Sequence, residues 1–506
     1  MRVLTGVLLA IVLAGAMHGR GVEAASSCEA LAALALPSTT VTAAQTVEAG
    51  AFRLPNQAGP SRAFSALPAF CRVAATLAPS SDSDIKIEIW LPATNWNGKV
   101  QAVGNGAFNG TIAYPALATA LARGYAAAST DTGHVGGSAI FALGHPEKVI
   151  DFGYRAVHEM TVAAKAIVSA HYGSGPRFSY WNGCSAGGRQ GLKAAQRFPA
   201  DFDGIIAGAP GLDWTGRASQ TMRVAQALQG DEAARLPSAK IELLHAAVLQ
   251  ACDARDGVKD GVVGDPQRCT FDPGVLQCTG AEGAACLTPA QVRTARLLYS
   301  PVVNPQTKRE ISGLFPGSER GWTDLGWSAS GRASGRDQFR FLVFKDAAWD
   351  VERFDVGADV ARAEDADKDT INALDPNLTA FIARGGKLIH YHGWSDPQIS
   401  PGASVQYYER VVQARGGPDA VHGAYRLFMA PGMAHCSGGD GPDTFDVVAA
   451  LEQWVEKGVA PDRIIASKSA NGAVTRTRPL CPHPQLATYS GSGSTDDAAN
   501  FACKAP

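Results

Sequence analysis

Two short stretches carry side chains that could do chemistry together. "WNGCSAGGRQG", residues 181–191, contains Gly183-Cys184-Ser185-Ala186-Gly187. This is the G-x-S-x-G pattern that sets a serine on a sharp turn between a strand and a helix. "MAPGMAHCSGGD" places His435 directly before Cys436. A serine hydroxyl is a weak nucleophile until a histidine takes its proton and a carboxylate orients that histidine. Asp396, in "HGWSDPQIS", falls between the two stretches. The order Ser185, Asp396, His435 is the order that α/β hydrolases use. Asp131 and Asp203 also lie near expected strand ends and are rivals for the carboxylate; the place of Asp396 between elbow and histidine favours it. By itself the serine pattern also fits an ordinary glycine-rich turn. A strand before it and a helix after it separate the two readings.

The cysteines beside these residues have a physical use. A working serine–histidine pair must come within about 3 Å. Their sequence neighbours are then close enough for a disulfide, whose Cα atoms stand about 4.4–6.8 Å apart. A Cys184–Cys436 bond is therefore expected as a brace, with a reactive Cys184 thiol as the rival. The N-terminus supports an oxidising compartment. Arg2, the apolar "VLTGVLLAIVLAGAM" and "VEA" at 22–24 read as a secretory signal over residues 1–24. Its apolar part is shorter than the roughly 20 residues of a spanning helix. The ten cysteines all follow it, and their even number without a C-x-x-C pair reads as disulfides rather than zinc. Spacing suggests Cys252–Cys269 and Cys278–Cys286; position near the termini suggests Cys28–Cys71 and Cys481–Cys503. The mature chain is expected to be secreted or periplasmic, with no membrane attachment once the signal is removed. Forty-five basic against 47 acidic residues give a net charge of −2. With no basic run, nothing attracts a nucleic acid.

Positioning the serine, acid and histidine falls to an α/β pattern. "DIKIEIWLPA" (84–93) alternates as a half-buried strand does. "KVQAVGNG" (99–106), "YAAASTDTGH" (125–134), "RFSYWNG" (177–183) and "FDGIIAGAP" (202–210) read as further strands, with helices over 155–171 and 187–198. This alternation predicts a parallel sheet with helices on both faces. From 211 to 384 the rhythm breaks, with four cysteines and Trp322, Trp327, Phe339, Phe341, Phe344, Trp349 and Phe354. It resumes at "GGKLIHYHGWSD" (385–396), then a helix (402–414), "YRLFMAP" (425–431), a helix (443–457) and "RIIASKS" (463–469). A catalytic domain of residues 25–210 and 385–506 is thus interrupted by an inserted domain, 211–384.

"CDARDGVKDGVVGDPQRC" (252–269) crowds Asp253, Asp256 and Asp260 among glycines. Hard oxygen ligands on a flexible loop suit Ca²⁺. The spacing is not that of an EF-hand, and a solvated acidic turn explains the residues equally well.

With these motifs together, the chain resembles the tannase/feruloyl esterase family, which includes feruloyl esterases, tannases and mono(2-hydroxyethyl) terephthalate hydrolase. The resemblance rests on Cys184-Ser185, Asp396 and His435-Cys436, and spans nearly the whole mature chain. It implies an α/β-hydrolase core with a large inserted lid and hydrolysis of aromatic-acid esters. It also implies a structural Ca²⁺ in the lid loop, held by Asp253, Asp256 and Asp260 with the carbonyls of Val258 and Val262. No organic cofactor is expected. Acyl transfer needs donors for the oxyanion. The N–H of Ala186, after the nucleophile, is the first candidate, and Gly106 in "GNGAFNG" (104–110) the second. His392 is a candidate for substrate contact, or for packing, and the lid aromatics either line the acyl pocket or form the lid's own core. Where terephthalate monoester hydrolases place a phenylalanine after the aspartate loop, this chain has Gln398-Ile399. The expected substrate is therefore a feruloyl-type ester, small and aromatic, on its own or attached to a plant polymer. Gallate esters and terephthalate monoesters are the alternatives within the class. From another class, the alternative is a catalytically dead hydrolase fold that binds a carbohydrate or cell-surface partner.

Overall fold

The computed structural model of the 506-residue chain describes residues 25–55, 62–229, 231–324 and 329–506. The signal segment 1–24 and Trp327 lie outside the described residues. Nine strands form one mixed sheet: β1 (Thr39–Val47), β2 (Phe70–Leu77), β3 (Ile85–Pro92), β4 (Lys99–Val103), β5 (Ala126–Thr130), β6 (Phe178–Cys184), β7 (Gly204–Gly208), β8 (Lys387–Gly393) and β9 (Tyr425–Ala430). Their spatial order is β1-β2-β3-β5-β4-β6-β7-β8-β9. Strands β5, β4, β6, β7, β8 and β9 run parallel to one another. β1, β2 and β3 add an antiparallel edge.

The two-residue period of a strand sends alternate side chains to opposite faces, and both faces are covered here. Ile205, Leu388, Leu427 and Met429 join one core with Val157, Met160 and Ile167 of the helix Ala156–Tyr172 and Leu192 of the helix Ala186–Arg197. Ile206, Ile389 and Phe428 join the other, with Leu117 and Leu121 of Tyr114–Ala122 and Leu451 and Trp454 of Val447–Lys457. This is the expected α/β architecture. One strand departs from expectation: β3 is not half-buried, since Glu88 on its polar side is only 3% exposed. The Arg72 guanidinium reaches Glu88 with Nε 2.9 and 3.1 Å from its two oxygens, and Trp90 Nε1 and the Tyr114 hydroxyl also donate to it, which offsets the cost of burying the carboxylate. The stretch expected as a strand at 463–469 also lies apart from the main sheet. It forms Ile464–Ala470, in a two-stranded hairpin with Ala473–Leu480.

Between β7 and β8 the chain leaves the sheet to build the lid. The lid carries the helices Trp214–Ala227, Ser238–Cys252, Pro289–Tyr299 and Ala358–Asp367. Trp322 packs in a cluster with Leu244, Val292 and Leu298. Phe339, Trp349 and Phe354 pack in another with Met222 and Val360. Five disulfides are present: Cys28–Cys71, Cys184–Cys436, Cys252–Cys269, Cys278–Cys286 and Cys481–Cys503. These are the five expected pairings. Among the described residues no helix is long and apolar enough to cross a membrane.

Candidate active site

β6 ends at Cys184, and the next residue, Ser185, turns the chain into the helix Ala186–Arg197. Ser185 has φ 63° and ψ −122°, a region that a residue with a Cβ rarely occupies. The turn is held from both sides, because Ser185 N–H donates to the Gly208 carbonyl (2.9 Å) and Gly211 N–H donates to the Ser185 carbonyl (3.1 Å). So tight a crossing needs glycine. A Cβ on Gly183 would come within 2.5 Å of the Gly187 carbonyl, and one on Gly188 within 2.3 Å of the Gly208 oxygen. The end of β4 meets the same helix, where Gly187 N–H donates to the Asn105 carbonyl (2.8 Å). That contact brings the loop containing Gly106 alongside the first turn of the helix, which begins with Ala186.

The loop after β9 supplies His435, and the loop after β8 supplies Asp396. The loops are tied by Ser395 N–H donating to the Met433 carbonyl (3.0 Å) and Trp394 N–H to the Ala430 carbonyl (2.9 Å). Nδ1 of His435 lies 2.6 Å from Oδ2 of Asp396. Asp396 is fully buried, and its Oδ1 accepts the backbone N–H groups of Gln398 (2.8 Å) and Ile399 (3.0 Å). Burial pushes the Asp396 carboxyl up. The charge of His435 and hydrogen bonds from His392 and His435 outweigh it and hold the group well below the usual carboxylate range. The rival acids are engaged elsewhere. Asp131 accepts the N–H groups of Lys86 and Gly133, and Asp203 accepts Ser179 N–H and pairs with Arg384.

Cys184 and Cys436 are bonded, with Cα atoms 6.0 Å apart. The residue before Ser185 is thereby joined to the residue after His435, across 252 positions of sequence. The free-thiol reading of Cys184 is set aside by this bond, and among the described residues no cysteine is free.

His392, a candidate for substrate contact, is placed otherwise. It is fully buried, with Nδ1 2.6 Å from Ser404 Oγ and Nε2 3.0 Å from Asp396 Oδ2. Both ring nitrogens are used inside the protein, so none is left for a ligand. Of the described lid aromatics, Phe341 packs with Phe108, Trp214 and Ala186 beside the elbow; Trp322, Phe339, Trp349 and Phe354 belong to the lid's own cores. Gln398 and Ile399 line a small cavity of about 50 Å³ with Arg217 and Thr221 from the lid helix Trp214–Ala227.

Sequence reading passed over Arg189, one turn beyond Ser185. It is fully buried, and its guanidinium donates to the carbonyls of Phe152 (3.1 Å), Gly153 (2.9 Å) and Ile371 (3.0 Å). It lies over the rings of Phe152 and Trp214. This pins the elbow helix to the returning end of the insertion. The only available signal was an arginine among the glycines of the helix's first two turns, where Gly187, Gly188 and Gly191 surround it.

In the acidic loop, Asp253 accepts the N–H groups of Asp260 and Gly261, both at 3.0 Å. Asp256 accepts Val258 N–H (2.9 Å) and Asp260 accepts Val262 N–H (3.2 Å). The Asp256 carboxyl is pushed up to about 6, by burial first and then by the neighbouring Asp260 and Asp253 carboxylates. Asp260 also pairs with Arg478 of the C-terminal hairpin. Among the described residues no three acidic, histidine or cysteine side chains converge on one metal-sized position. Asp253, Asp256 and Asp260 are hard oxygen donors of the type Ca²⁺ takes, and one of the three, Asp260, is already engaged by the guanidinium groups of Arg478 and Arg476.

Residues 71–504 match the family described as "Tannase and feruloyl esterase". An uncharacterised esterase of Xanthomonas campestris is 42% identical over 95% of this chain and 92% of its own. The mono(2-hydroxyethyl) terephthalate hydrolase of Piscinibacter sakaiensis is 35% identical over 92% of this chain and 89% of its own. The crystal structure of feruloyl esterase B from Aspergillus oryzae superposes with a TM-score of 0.88 at 33% identity, over 94% of this chain and 99% of that one. Fold and relatives together define a carboxylic ester hydrolase with an α/β-hydrolase core and a large inserted lid. The chain belongs to the tannase and feruloyl esterase family.

Proposed function

We propose that the protein is an exported serine esterase that hydrolyses feruloyl-type esters of aromatic acids through Ser185, His435 and Asp396. Ser185 Oγ attacks the ester carbonyl while His435 Nε2 takes its proton. The tetrahedral oxyanion is held by the N–H groups of Ala186 and Gly106. His435 then returns the proton to the leaving alcohol, leaving an acyl-enzyme. Water, activated by the same histidine, releases the aromatic acid and regenerates the serine. Asp396 keeps the imidazole in the tautomer with its Nε2 free to act and stabilises the imidazolium as it forms.

The observation that carries this reading is the bond between Cys184 and Cys436, with His435 Nδ1 already seated on Asp396. The feruloyl preference draws on the likeness to a feruloyl esterase and on Gln398-Ile399, where an aromatic residue would suit a terephthalate. Steady-state rates on methyl ferulate, methyl gallate and a terephthalate monoester test it, with kcat/KM expected highest on the ferulate. A preference for gallate or terephthalate would move the substrate, and a purified chain inactive on all three and on p-nitrophenyl acetate would leave a binding protein instead.

In the same reading, residues 211–384 are the lid domain on a catalytic domain of 25–210 and 385–506. The lid loop takes a structural Ca²⁺ on Asp253, Asp256 and Asp260 with the carbonyls of Val258 and Val262. The ion would offset carboxylate repulsion and take no part in acyl transfer. Five disulfides favour an oxidising, exported location, secreted or periplasmic after loss of residues 1–24. An N-terminus at or near residue 25 in the mature protein tests this.

A further inference from the structure

Behind Asp396 stands a file of four buried side chains that ester hydrolysis does not by itself require. The hydroxyl of Tyr425 lies 2.8 Å from His390 Nδ1, and His390 Nε2 lies 2.8 Å from Ser404 Oγ. Ser404 Oγ is 2.6 Å from His392 Nδ1. His392 Nε2 is 3.0 Å from Asp396 Oδ2 and 3.1 Å from the Ile399 carbonyl oxygen. All four side chains are fully buried. His390 and His392 are two apart on β8 and so share one of its faces. Ser404 comes from the helix Pro401–Ala414, and Tyr425 from β9.

The chemistry of the groups fixes the direction of every hydrogen bond. A backbone carbonyl can only accept, and so can an ionised carboxylate. His392 Nε2 faces both, so it carries a proton. A neutral His392 must then accept at Nδ1, and the donor is the Ser404 hydroxyl. Its single proton spent, Ser404 Oγ accepts from His390 Nε2–H, and His390 Nδ1 accepts from the Tyr425 hydroxyl. Each bond points toward Asp396 Oδ2, the oxygen that also holds His435 Nδ1. A charged His392 would donate from Nδ1 to Ser404 as well, leaving the Ser404 hydroxyl without its acceptor in the file, and would set a second imidazolium against the oxygen that must stabilise the first.

We propose that His392, backed by Ser404, His390 and Tyr425, is a positioning residue. It locks the rotamer of Asp396 and withdraws part of its negative charge, and so sets the basicity of His435. This rests on the triad proposed above. The titratable and charged groups facing Asp396 are His435 from the loop after β9, Arg217 from the lid helix, and His392 itself.

The experiment combines variants with nuclear magnetic resonance of ¹⁵N-histidine-labelled protein. His392→Phe, if folded, should lower kcat about ten- to a hundredfold, the scale of a misplaced catalytic group, with KM within about twofold. With one donor gone, more of the Asp396 charge falls on His435, so the acid limb of kcat/KM should move to higher pH. His392→Gln, which can still offer an N–H, should keep most of the rate and the original limb. Ser404→Ala should shift both readouts in the same direction by less. In the unmodified protein His390 and His392 should both be neutral with the proton on Nε2. A proton on Nδ1 of either ring, or a charged His392 at neutral pH, would overturn the proposal. So would a folded His392→Phe with an unmoved acid limb. Should that variant fail to fold, Ser404→Ala and the tautomers decide. Asp396→Asn is measured alongside. If it stays active the triad itself falls; if it is inactive while His392→Phe behaves as the parent, only the file falls.

Discussion

Ser185 occupies backbone space that suits glycine, and it does so at the residue whose hydroxyl the proposed mechanism acylates and then regenerates. Strain of this kind costs about 1–3 kcal/mol. Two replacements separate chemistry from conformation. Ser185→Ala keeps the Cβ and the strain, so it should leave the melting temperature near that of the parent while turnover falls by about four orders of magnitude or more. Ser185→Gly should be equally inactive yet more stable. Relief of the strain exceeds the roughly 0.4–1 kcal/mol of extra unfolded-state entropy that glycine brings. Thermal unfolding of the two variants side by side checks this, and a Gly variant that melts below the Ala variant would contradict it. Asp396 adds a pH dependence. Its carboxyl titrates lower in the folded protein than the ordinary value of about 3.9. Its contribution to stability is therefore complete above that pH and is lost as pH falls toward the folded value. The melting-temperature gap between the parent and Asp396→Asn should be widest near neutrality and narrow steadily below pH 4. The elbow was readable as a short motif with a mechanism, His435 from the cysteine beside it, and Asp396 only from its place in chain order between the two. The contacts of His392 were not. Two histidines at alternate strand positions announce a shared face, but that the face is dry depends on Ser404 and Tyr425, which arrive from other elements.

The strands that carry the site were legible because their alternate side chains feed two separate cores. Of the antiparallel edge, β3 was read, while β1 and β2 were not. Residues of β1 such as Thr39, Thr42, Gln45 and Thr46 pattern weakly, as an edge strand with an open side does. The lid resisted for a different reason: short 3₁₀ segments and disulfide-closed loops have no period to read. The bond between Cys184 and Cys436 joins the two element ends that matter most. Its removal in Cys184→Ala/Cys436→Ala should cost about 2–5 kcal/mol in the chain-entropy picture, with wide scatter among measured cases. The rate should suffer more than the fold, because a 1 Å displacement of a catalytic group can cost about a hundredfold. An intact far-UV circular dichroism spectrum with kcat reduced tenfold or more is the expected result, and a double variant with parental kcat would show that packing alone holds the two loops in register.

At the scale of the molecule, the acidic loop between β7 and β8 is tied to the C-terminal hairpin through the Asp260–Arg478 pair. A cation that binds only the folded state stabilises it by mass action, by about 2.7 kcal/mol at a hundredfold excess over Kd. Chelation should lower the melting temperature and added Ca²⁺ restore it, and Asp256→Ala should abolish the response. A melting curve that chelator leaves unmoved, with metal analysis showing that no calcium stays bound, would remove the ion from the account. The pairing of Cys184 with Cys436 has one more consequence. It makes a covalent ring of every residue from 184 to 436, and the entire lid is an arc of that ring. A single peptide bond cut anywhere on the arc opens the ring without dividing the molecule, as a link may be filed through while the chain still holds. A protease that nicks the lid once should therefore yield one band on a non-reducing gel and two after reduction, with the halves of the catalytic domain never separated.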